Sequence, residues 1–309
     1  MAFIQVSFMS KTLMRTVPLQ VILPVDKFTF GQPEREEKPF KTLYLLHGIF
    51  GNETDWVHGT RIQRWAEEKN LAVVMPAGEN AFYVDQPSIG AMHGQFIGEE
   101  LVEITRKMFP LSRKREDTFI GGLSMGGFGA LRNGLKYHDT FGAVICLSGA
   151  LHVLENPEES RADSFAHEEG YFGNLVEAAK SDKNPAVLIE QLKEARKKDP
   201  SVNVPTVFQA CGTEDGLLEV NRLYHKRMEE SGMDIVYYES KGGHEWDFWD
   251  RYILKILDWL PLNKKDEGLR PQDINDFGDR QEKEWIKIYQ IYQDTCDRAG
   301  LVDFAELLI

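Results

Sequence analysis

The sequence GGLSMGGFG at residues 121–129 is the strongest indication of the fold of this chain. It contains the pattern G-x-S-x-G with Ser124 at its centre, follows the apolar run DTFIGGL (117–123) and opens a segment with helical spacing (125–137). A serine on a sharp strand-to-helix turn presents its hydroxyl at the carboxyl edge of a sheet, and the flanking glycines permit the close backbone packing of that turn. The pattern indicates a nucleophilic serine; the alternative is a serine in a glycine-rich turn without chemistry.

Apolar and helical segments alternate on both sides of this turn. The predicted strands are 3–9, 16–24, 42–47, 71–77, 117–123, 143–149, 204–212 and 235–240. The predicted helices are 94–109, 125–137, 216–230 and 247–260. Such alternation predicts an α/β fold with a mostly parallel central sheet flanked by helices. Residues 150–200, rich in Glu, Asp, Lys and Ala, interrupt it and predict a helical cap insertion.

The charge and composition of the chain argue against several classes of protein. Of 309 residues, 42 % are hydrophobic, and 36 Lys+Arg against 49 Asp+Glu give a net charge of −13. That field repels a nucleic-acid backbone and an anionic membrane, so we expect neither partner. No apolar run approaches the roughly 18 to 20 residues that span a bilayer, and no signal-type apolar block opens the chain, which predicts a cytoplasmic location. Three cysteines without a CxxC pair argue against a disulfide framework and a zinc site: Cys146, Cys211 and Cys296.

A serine nucleophile needs a base and an acid, which in this fold follow it in chain order. Asp215 follows the predicted strand 204–212, with Glu214 as its neighbour and alternative. Because side chains alternate in direction, we expect one of these two carboxylates to face the site, and we favour Asp215. His244 follows the strand 235–240, a placement that the other histidines lack. The sequence therefore predicts a catalytic set of Ser124, Asp215 and His244.

The oxyanion formed during acyl attack needs two backbone N–H donors. Met125, the residue after the nucleophile, supplies one of them. The loop after the strand 42–47 is the source of the second, with Ile49 favoured and Phe50 as the alternative. We expect His47 to brace this loop rather than to act as an acid or base. Three aromatic residues on nearby predicted loops are candidates for substrate binding, with simple packing as the alternative: Trp56, Tyr83 and Trp246.

Five motifs in order resemble a known enzyme family: LHGIFGN, FYVDQP, GGLSMGGFGAL, CGTEDGL and GGHEWDFWD. They are similar to the tributyrin-esterase and feruloyl-esterase branch of the esterase D and antigen 85 group, within the α/β-hydrolases, over about residues 1–262. The resemblance implies an α/β-hydrolase fold and a serine carboxylesterase that needs no cofactor or metal. We expect it to hydrolyse short- to medium-chain acyl or aryl esters through an acyl-enzyme, with feruloyl, acetyl and simple aliphatic esters all left open. The related S-formylglutathione hydrolases carry a cysteine shortly after the oxyanion-loop glycine. This chain has Ile49-Phe50-Gly51 there, which argues against a thioester substrate.

Residues 263–309 lie outside the usual extent of such an esterase. Their central stretch, EKEWIKIYQIYQDTCDRA (282–299), has apolar residues at helical spacing and predicts an amphipathic helix that buries one face. KDEGLRP and YQDTCDRAGLVDFAELL resemble a short internal piece of the superfamily-one DNA repair helicases. Since the chain holds no G-x-x-x-x-G-K-[ST] phosphate loop, we do not expect ATP hydrolysis.

The tail leaves more than one function open. We interpret it as a non-catalytic fused extension whose helix docks on the esterase or on another copy, giving a homo-oligomer. The alternative function is a non-catalytic α/β-hydrolase-fold binding or adaptor protein that uses the tail, which would leave the predicted catalytic set without a role. A helicase-associated DNA-binding module is disfavoured by the charge of −13 and the missing phosphate loop.

Overall fold

The computed structural model describes residues 1–27, 38–155, 157, 168–262, 287 and 291. The chain divides into two compact units, Met1–Leu262 and Asn263–Ile309. The strands of the first unit are β1 Ala2–Ser10, β2 Arg15–Leu23, β3 Thr42–Leu46, β4 Ala72–Pro76, β5 Asp85–Gln86, β6 Ala91–Met92, β7 Thr118–Leu123, β8 Ala143–Leu147, β9 Thr206–Gly212 and β10 Ile235–Ser240.

Eight of these strands form one sheet in the order β1-β2-β4-β3-β7-β8-β9-β10. The six strands from β4 to β10 in that order are parallel, whereas β1 and β2 form an antiparallel hairpin at one edge. The predicted α/β fold with a mostly parallel sheet is confirmed, and each predicted strand is present within two residues of its expected ends. The short pair β5 and β6 was not predicted.

The helices are α1 Asp55–Gly59, α2 Ile62–Glu68, α3 His93–Gln95, a π-helical turn Phe96–Glu100, α4 Leu101–Met108, α5 Met125–Lys136, α6 Glu168–Phe172, α7 Leu175–Ala179, α8 Pro185–Lys198, α9 Leu218–Glu230 and α10 Trp246–Trp259. Short 3₁₀ turns lie at Pro24–Asp26, Pro87–Ile89 and Arg115–Asp117. The predicted helix 94–109 is therefore one helical run with a π-helical turn inside it. None of the described helices is long and apolar enough to cross a bilayer.

Two apolar layers cover the two faces of the sheet. One contains buried side chains of α4, α5, α8 and α9, and the other contains those of α2 and α10. The central strands β3, β7 and β8 are buried along their whole length, as strands covered on both faces must be. Helices on both faces leave the carboxyl edge of the parallel strands as the place where loops from different strands meet.

From residue 168 onward, the described part of the predicted cap segment 150–200 consists of the helices α6, α7 and α8 joined by turns. Its longest helix, α8, packs against α5 and α9, and Leu188, Ile189 and Leu192 bury its apolar face in the core. This helix therefore packs in the helical layer on that face of the sheet. In the predicted tail helix 282–299, Lys287 and Ile291 are helical, and the rest of that prediction lies outside the described residues.

Candidate active site

Ser124 lies on the turn between β7 and α5 with φ 54° and ψ −118°. Few non-glycine residues adopt this region, at a cost of about 1–3 kcal/mol, and the surrounding backbone must hold it there. The segment after β8 does so: the Ser124 N–H donates to the Leu147 carbonyl at 2.9 Å, and the Ala150 N–H donates to the Ser124 carbonyl at 3.0 Å. The turn is therefore fixed from the neighbouring strand.

The sheet edge brings together the three side chains of the predicted catalytic set. His244 Nε2 lies 2.9 Å from Ser124 Oγ, and His244 Nδ1 lies 2.9 Å from Asp215 Oδ2. The loops that carry them follow β7, β9 and β10, and parallel strands end at the same edge. Glu214, the alternative acid, is exposed, whereas Asp215 is buried.

The surroundings of Asp215 favour its ionised carboxylate, although the side chain is only 1 % exposed. Burial by itself raises the pKa of this group. Hydrogen bonds from His244, from the Leu217 N–H at 2.9 Å on Oδ1 and from Ser148 outweigh that effect and leave the pKa below its ordinary value. The carboxylate therefore accepts from His244 in its ionised form, which fixes the orientation of the imidazole.

Two residues that sequence reasoning missed pack around the acid and the imidazole. Trp249 meets the His244 ring edge to face, with the ring centroids 5.0 Å apart, and its indole N–H donates to Ser148 Oγ at 3.2 Å. Ser148 is fully buried at the end of β8 with φ 45°. The only signal for it in the sequence is its position directly after the apolar run of β8.

Asn221 joins the acid loop to the nucleophile turn. Its amide Nδ2 donates to the carbonyls of Gly149 (3.0 Å) and Leu217 (2.8 Å), and its Oδ1 accepts from the Gly149 N–H (3.2 Å) and from Gln209 Nε2 (3.1 Å). Gly149 precedes Ala150, which holds the Ser124 carbonyl, and Leu217 donates to Asp215. All four hydrogen-bonding positions of this fully buried amide are used.

The loop after β3 lies directly against the nucleophile. A Cβ atom on Gly48 would stand 3.6 Å from the Ser124 Cβ, and the Gly51 N–H closes a tight turn onto the Gly48 carbonyl at 3.2 Å. The Phe50 N–H donates to Asn80 Oδ1 at 2.8 Å, with Phe50 at φ 66°. Because this bond engages the Phe50 amide, Ile49 stays the better candidate for the second oxyanion donor.

His47 braces this loop. Its Nε2 accepts from the Gly78 N–H at 2.9 Å, so the proton of the neutral ring is on Nδ1, which donates to the Gly48 carbonyl at 2.7 Å. Burial lowers the pKa of His47, which favours this neutral form. Both ring nitrogens are therefore occupied in holding backbone, and neither is available to a substrate.

The three candidate substrate-binding aromatics differ in exposure. Trp56 is 1 % exposed and its indole N–H donates to the Leu46 carbonyl, while Tyr83 is 0 % exposed and its hydroxyl donates to the His47 carbonyl. Both therefore pack behind the loop after β3 instead of lining a pocket, which corrects that expectation. Trp246 is partly exposed and stacks edge to face on Trp56 and Trp249.

Metal-binding clusters and cysteine thiols are two further kinds of group that a hydrolytic site can use. Among the described residues, no group of three or more His, Cys, Asp or Glu stands close enough to hold a metal ion. Cys146 and Cys211 are free thiols buried in the sheet.

Comparison with known proteins finds relatives of two kinds, esterases and DNA helicases. The family described as "Putative esterase" matches residues 10–260. An acetyl esterase of Caldicellulosiruptor saccharolyticus is 42 % identical over 266 residues, 84 % of this chain and 98 % of the relative. A C-terminal segment matches DNA helicase II of Haemophilus influenzae, 86 % identical over 108 residues, which are 35 % of this chain but only 12 % of the helicase.

The solved structures give the same fold. The S-formylglutathione hydrolase of Staphylococcus aureus aligns with a TM-score of 0.72 at 30 % identity, over 85 % of this chain and 99 % of that one. A substrate-bound fluorophosphonate-binding serine hydrolase from the same organism aligns with a TM-score of 0.74, also at 30 % identity and over the same shares. The chain belongs to the esterase family, and it is a carboxylic ester hydrolase with the α/β-hydrolase fold.

Proposed function

We propose that the protein hydrolyses esters of small to medium acyl groups through an acyl-enzyme formed on Ser124. The observation that supports this most directly is the pair of 2.9 Å contacts that link Asp215, His244 and Ser124. His244 acts as the base, Asp215 orients it, and the backbone N–H groups of Ile49 and Met125 receive the oxyanion. The alternative, a non-catalytic adaptor, leaves this arrangement without a purpose.

The proposed reaction has two similar halves. Ser124 Oγ attacks the ester carbonyl while its proton passes to His244 Nε2, and the imidazolium is stabilised by the Asp215 carboxylate. The tetrahedral intermediate collapses, the C–O bond to the alcohol breaks, and the alcohol leaves with the proton from His244. Water then gives a proton to His244 and attacks the carbonyl of the acyl-enzyme. When this second tetrahedral intermediate collapses, the C–O bond to Ser124 Oγ breaks, His244 returns the proton to Oγ, and the carboxylic acid leaves.

Acetyl esters are the proposed substrate class. The relative at 42 % identity is named an acetyl esterase, and one structure at 30 % identity is named an S-formylglutathione hydrolase. Acetyl and formyl are both small acyl groups. We favour an oxygen ester over a thioester because Ile49-Phe50-Gly51 stands where the S-formylglutathione hydrolases carry their cysteine.

Three further points belong to the same proposal. Residues 1–262 form the catalytic unit, with 150–200 as its insertion, and 263–309 are a non-catalytic extension similar to a helicase fragment. The protein acts in the cytoplasm, where the buried free thiols Cys146 and Cys211 would stay reduced. Self-association through the predicted C-terminal helix stays a prediction.

The test is hydrolysis of p-nitrophenyl acetate, butyrate and octanoate by the full chain with a chelator present. Ser124→Ala should lose on the order of 10⁴ to 10⁶ in turnover. Ser201→Ala, an exposed serine on a surface turn, is the matched control and should keep the activity of the unchanged protein. The acyl length of the fastest ester indicates the size of the acyl pocket. S-formylglutathione, assayed under the same conditions, tests whether a thioester is hydrolysed faster than an oxygen ester. Equal rates for the unchanged protein and Ser124→Ala would contradict the proposal.

A further inference from the structure

The outer edge of β1 is long, uncharged and open. The strand AFIQVSFMS (2–10) holds no charged residue and no proline, and it is the last strand of the sheet on its side. Within the described part of the chain, no strand pairs with that edge. Edges of this kind are usually blunted by lysine, proline or a bulge, because a row of unpaired N–H and C=O groups is a template for another strand.

The hydrogen bonds of the hairpin show which residues of β1 face outward. The Ala77 N–H donates to the Pro18 carbonyl at 3.1 Å, so the main chain of Pro18 faces β4. Pro18 stands opposite Ser7 in the hairpin. A residue pair of an antiparallel ladder that does not exchange hydrogen bonds directs its N–H and C=O groups away from its partner. Ser7 therefore presents its main chain to the outside, and so do Phe3, Gln5 and Met9 at a period of two.

The side chains of β1 divide between two faces. Ile4, Val6 and Phe8 pack against the core. Phe3 and Met9 lie on the other face and are 42 % and 57 % exposed. These two large apolar side chains lie at opposite ends of the outward-facing set, at equal distances from Val6.

We propose that β1 pairs in antiparallel fashion with β1 of a second copy, around a two-fold axis at Val6, to give one continuous sheet across a dimer. In this register Phe3 stands opposite Met9 of the second copy, twice, and Gln5 stands opposite Ser7. The four outward residues of each strand exchange about eight N–H···O bonds. On the inner face, Ile4 stands opposite Phe8 and extends the apolar layer of each copy.

The alternative registers lack this complementarity. A shift by two residues in one direction places Phe3 opposite Ser7 and leaves Met9 outside the pairing. The opposite shift places Met9 opposite Gln5 and leaves Phe3 outside.

Because one surface meets itself around a two-fold axis, the association closes at two copies and does not continue as a filament. The absence of charge on β1 lets two molecules of net charge −13 approach at this edge without a local like-charge clash.

The test compares two double substitutions in the full chain by light scattering coupled to gel filtration, over a dilution series. Phe3→Lys/Met9→Lys sets two ammonium groups opposite each other in both pairs and should raise the dimer dissociation constant at least about tenfold. Phe3→Lys/Met9→Glu sets opposite charges there and should keep the dimer. Met14→Lys adds the same charge at a 76 % exposed methionine of the hairpin turn, outside the pairing, and should also keep it.

Each variant must keep the esterase rate and the circular-dichroism spectrum of the unchanged protein, since Phe3 and Met9 are exposed in the single chain. A lower melting temperature is expected where the dimer is lost, because association itself stabilises the fold. Ser7→Pro is an independent check and should also weaken the dimer. It removes an outward N–H that takes part in the proposed pairing but is not used in the single chain. A monomeric unchanged protein would overturn the proposal. So would equal behaviour of the two double variants, and a dimer that survives Phe3→Lys/Met9→Lys would assign the association to another surface.

Discussion

His93 is a buried imidazole whose protonation opposes the folded state. Burial lowers its pKa to about 4 from the usual 6.5, although Glu79, 3.9 Å away, favours the charged ring. Since the unfolded chain takes up the proton first as the pH falls, the stability due to the neutral ring is complete above pH 6.5 and is lost toward pH 4.

The expected loss from His93 between pH 7 and pH 5 is about 2 kcal/mol. His93→Gln should flatten this part of the stability profile, measured as the free energy of unfolding in urea at both pH values. His58→Gln, at an exposed histidine, is the matched control for the loss of an imidazole. Identical slopes for the unchanged protein and His93→Gln would rule out this origin of the acid sensitivity.

At the same scale, the catalytic residues could be predicted but their supports could not. Ser124, Asp215 and His244 follow strands in an order that the motif fixes, so chain position suffices. Asn221 acts on Gly149, 72 residues away in the chain, and no local pattern indicates such a hydrogen bond. The burial of Trp56 and Tyr83 could not be predicted for the same reason, because it depends on which elements fold over them.

Among the elements, helix α5 approaches β3 so closely that there is no room for a side chain at Gly126. A Cβ on Gly126 would overlap the main-chain carbonyl of Leu46 and lie 2.6 Å from that of His47. Backbone cannot yield as a flexible side chain can. The second glycine of the G-x-S-x-G pattern is therefore required by helix-to-strand contact.

Gly126→Ala should cost about 3 kcal/mol of stability and most of the esterase rate, because it pushes α5 and Ser124 away from the loop after β3. Gly170→Ala in α6 is the matched change: a Cβ there meets nothing within 4 Å, and alanine favours helix by up to about 1 kcal/mol. Thermal unfolding and p-nitrophenyl acetate turnover of both variants measure the difference. A Gly126→Ala protein as stable and active as Gly170→Ala would show that α5 can move without cost.

The boundaries of helices are harder to predict from sequence than their presence. The run 94–109 has helical spacing throughout, yet it contains a π-helical turn at Phe96–Glu100. Gly98 in that turn lies against the ring of Tyr137, which follows α5. Glu100 reaches the β1–β2 turn, where it accepts from the Ser10 hydroxyl at 2.5 Å and the Lys11 N–H at 2.7 Å. Contacts with two distant segments, absent from local spacing, shape this helix.

In the molecule as a whole, the match to the esterase family ends at residue 260. The contacts among Ser124, Asp215 and His244 all lie within Met1–Leu262. Deletion of residues 263–309 should therefore leave kcat and KM for p-nitrophenyl acetate unchanged. A matched chain with these residues replaced by a glycine-serine segment of equal length controls for the new terminus. A large loss of soluble, active protein in both chains would mean that the tail stabilises the fold.

The side-chain amide of Asn221, with its four hydrogen bonds, couples the motions of two segments of the active site. It binds the segment behind the nucleophile and the segment behind the acid to the same helix, α9, in a water-excluded site. Breaking either attachment would strand a buried donor or acceptor at about 1–3 kcal/mol, so local opening of one segment alone is rare. We therefore expect these two segments to open together as one cooperative unit, so that the nucleophile and the acid lose their positions in the same event.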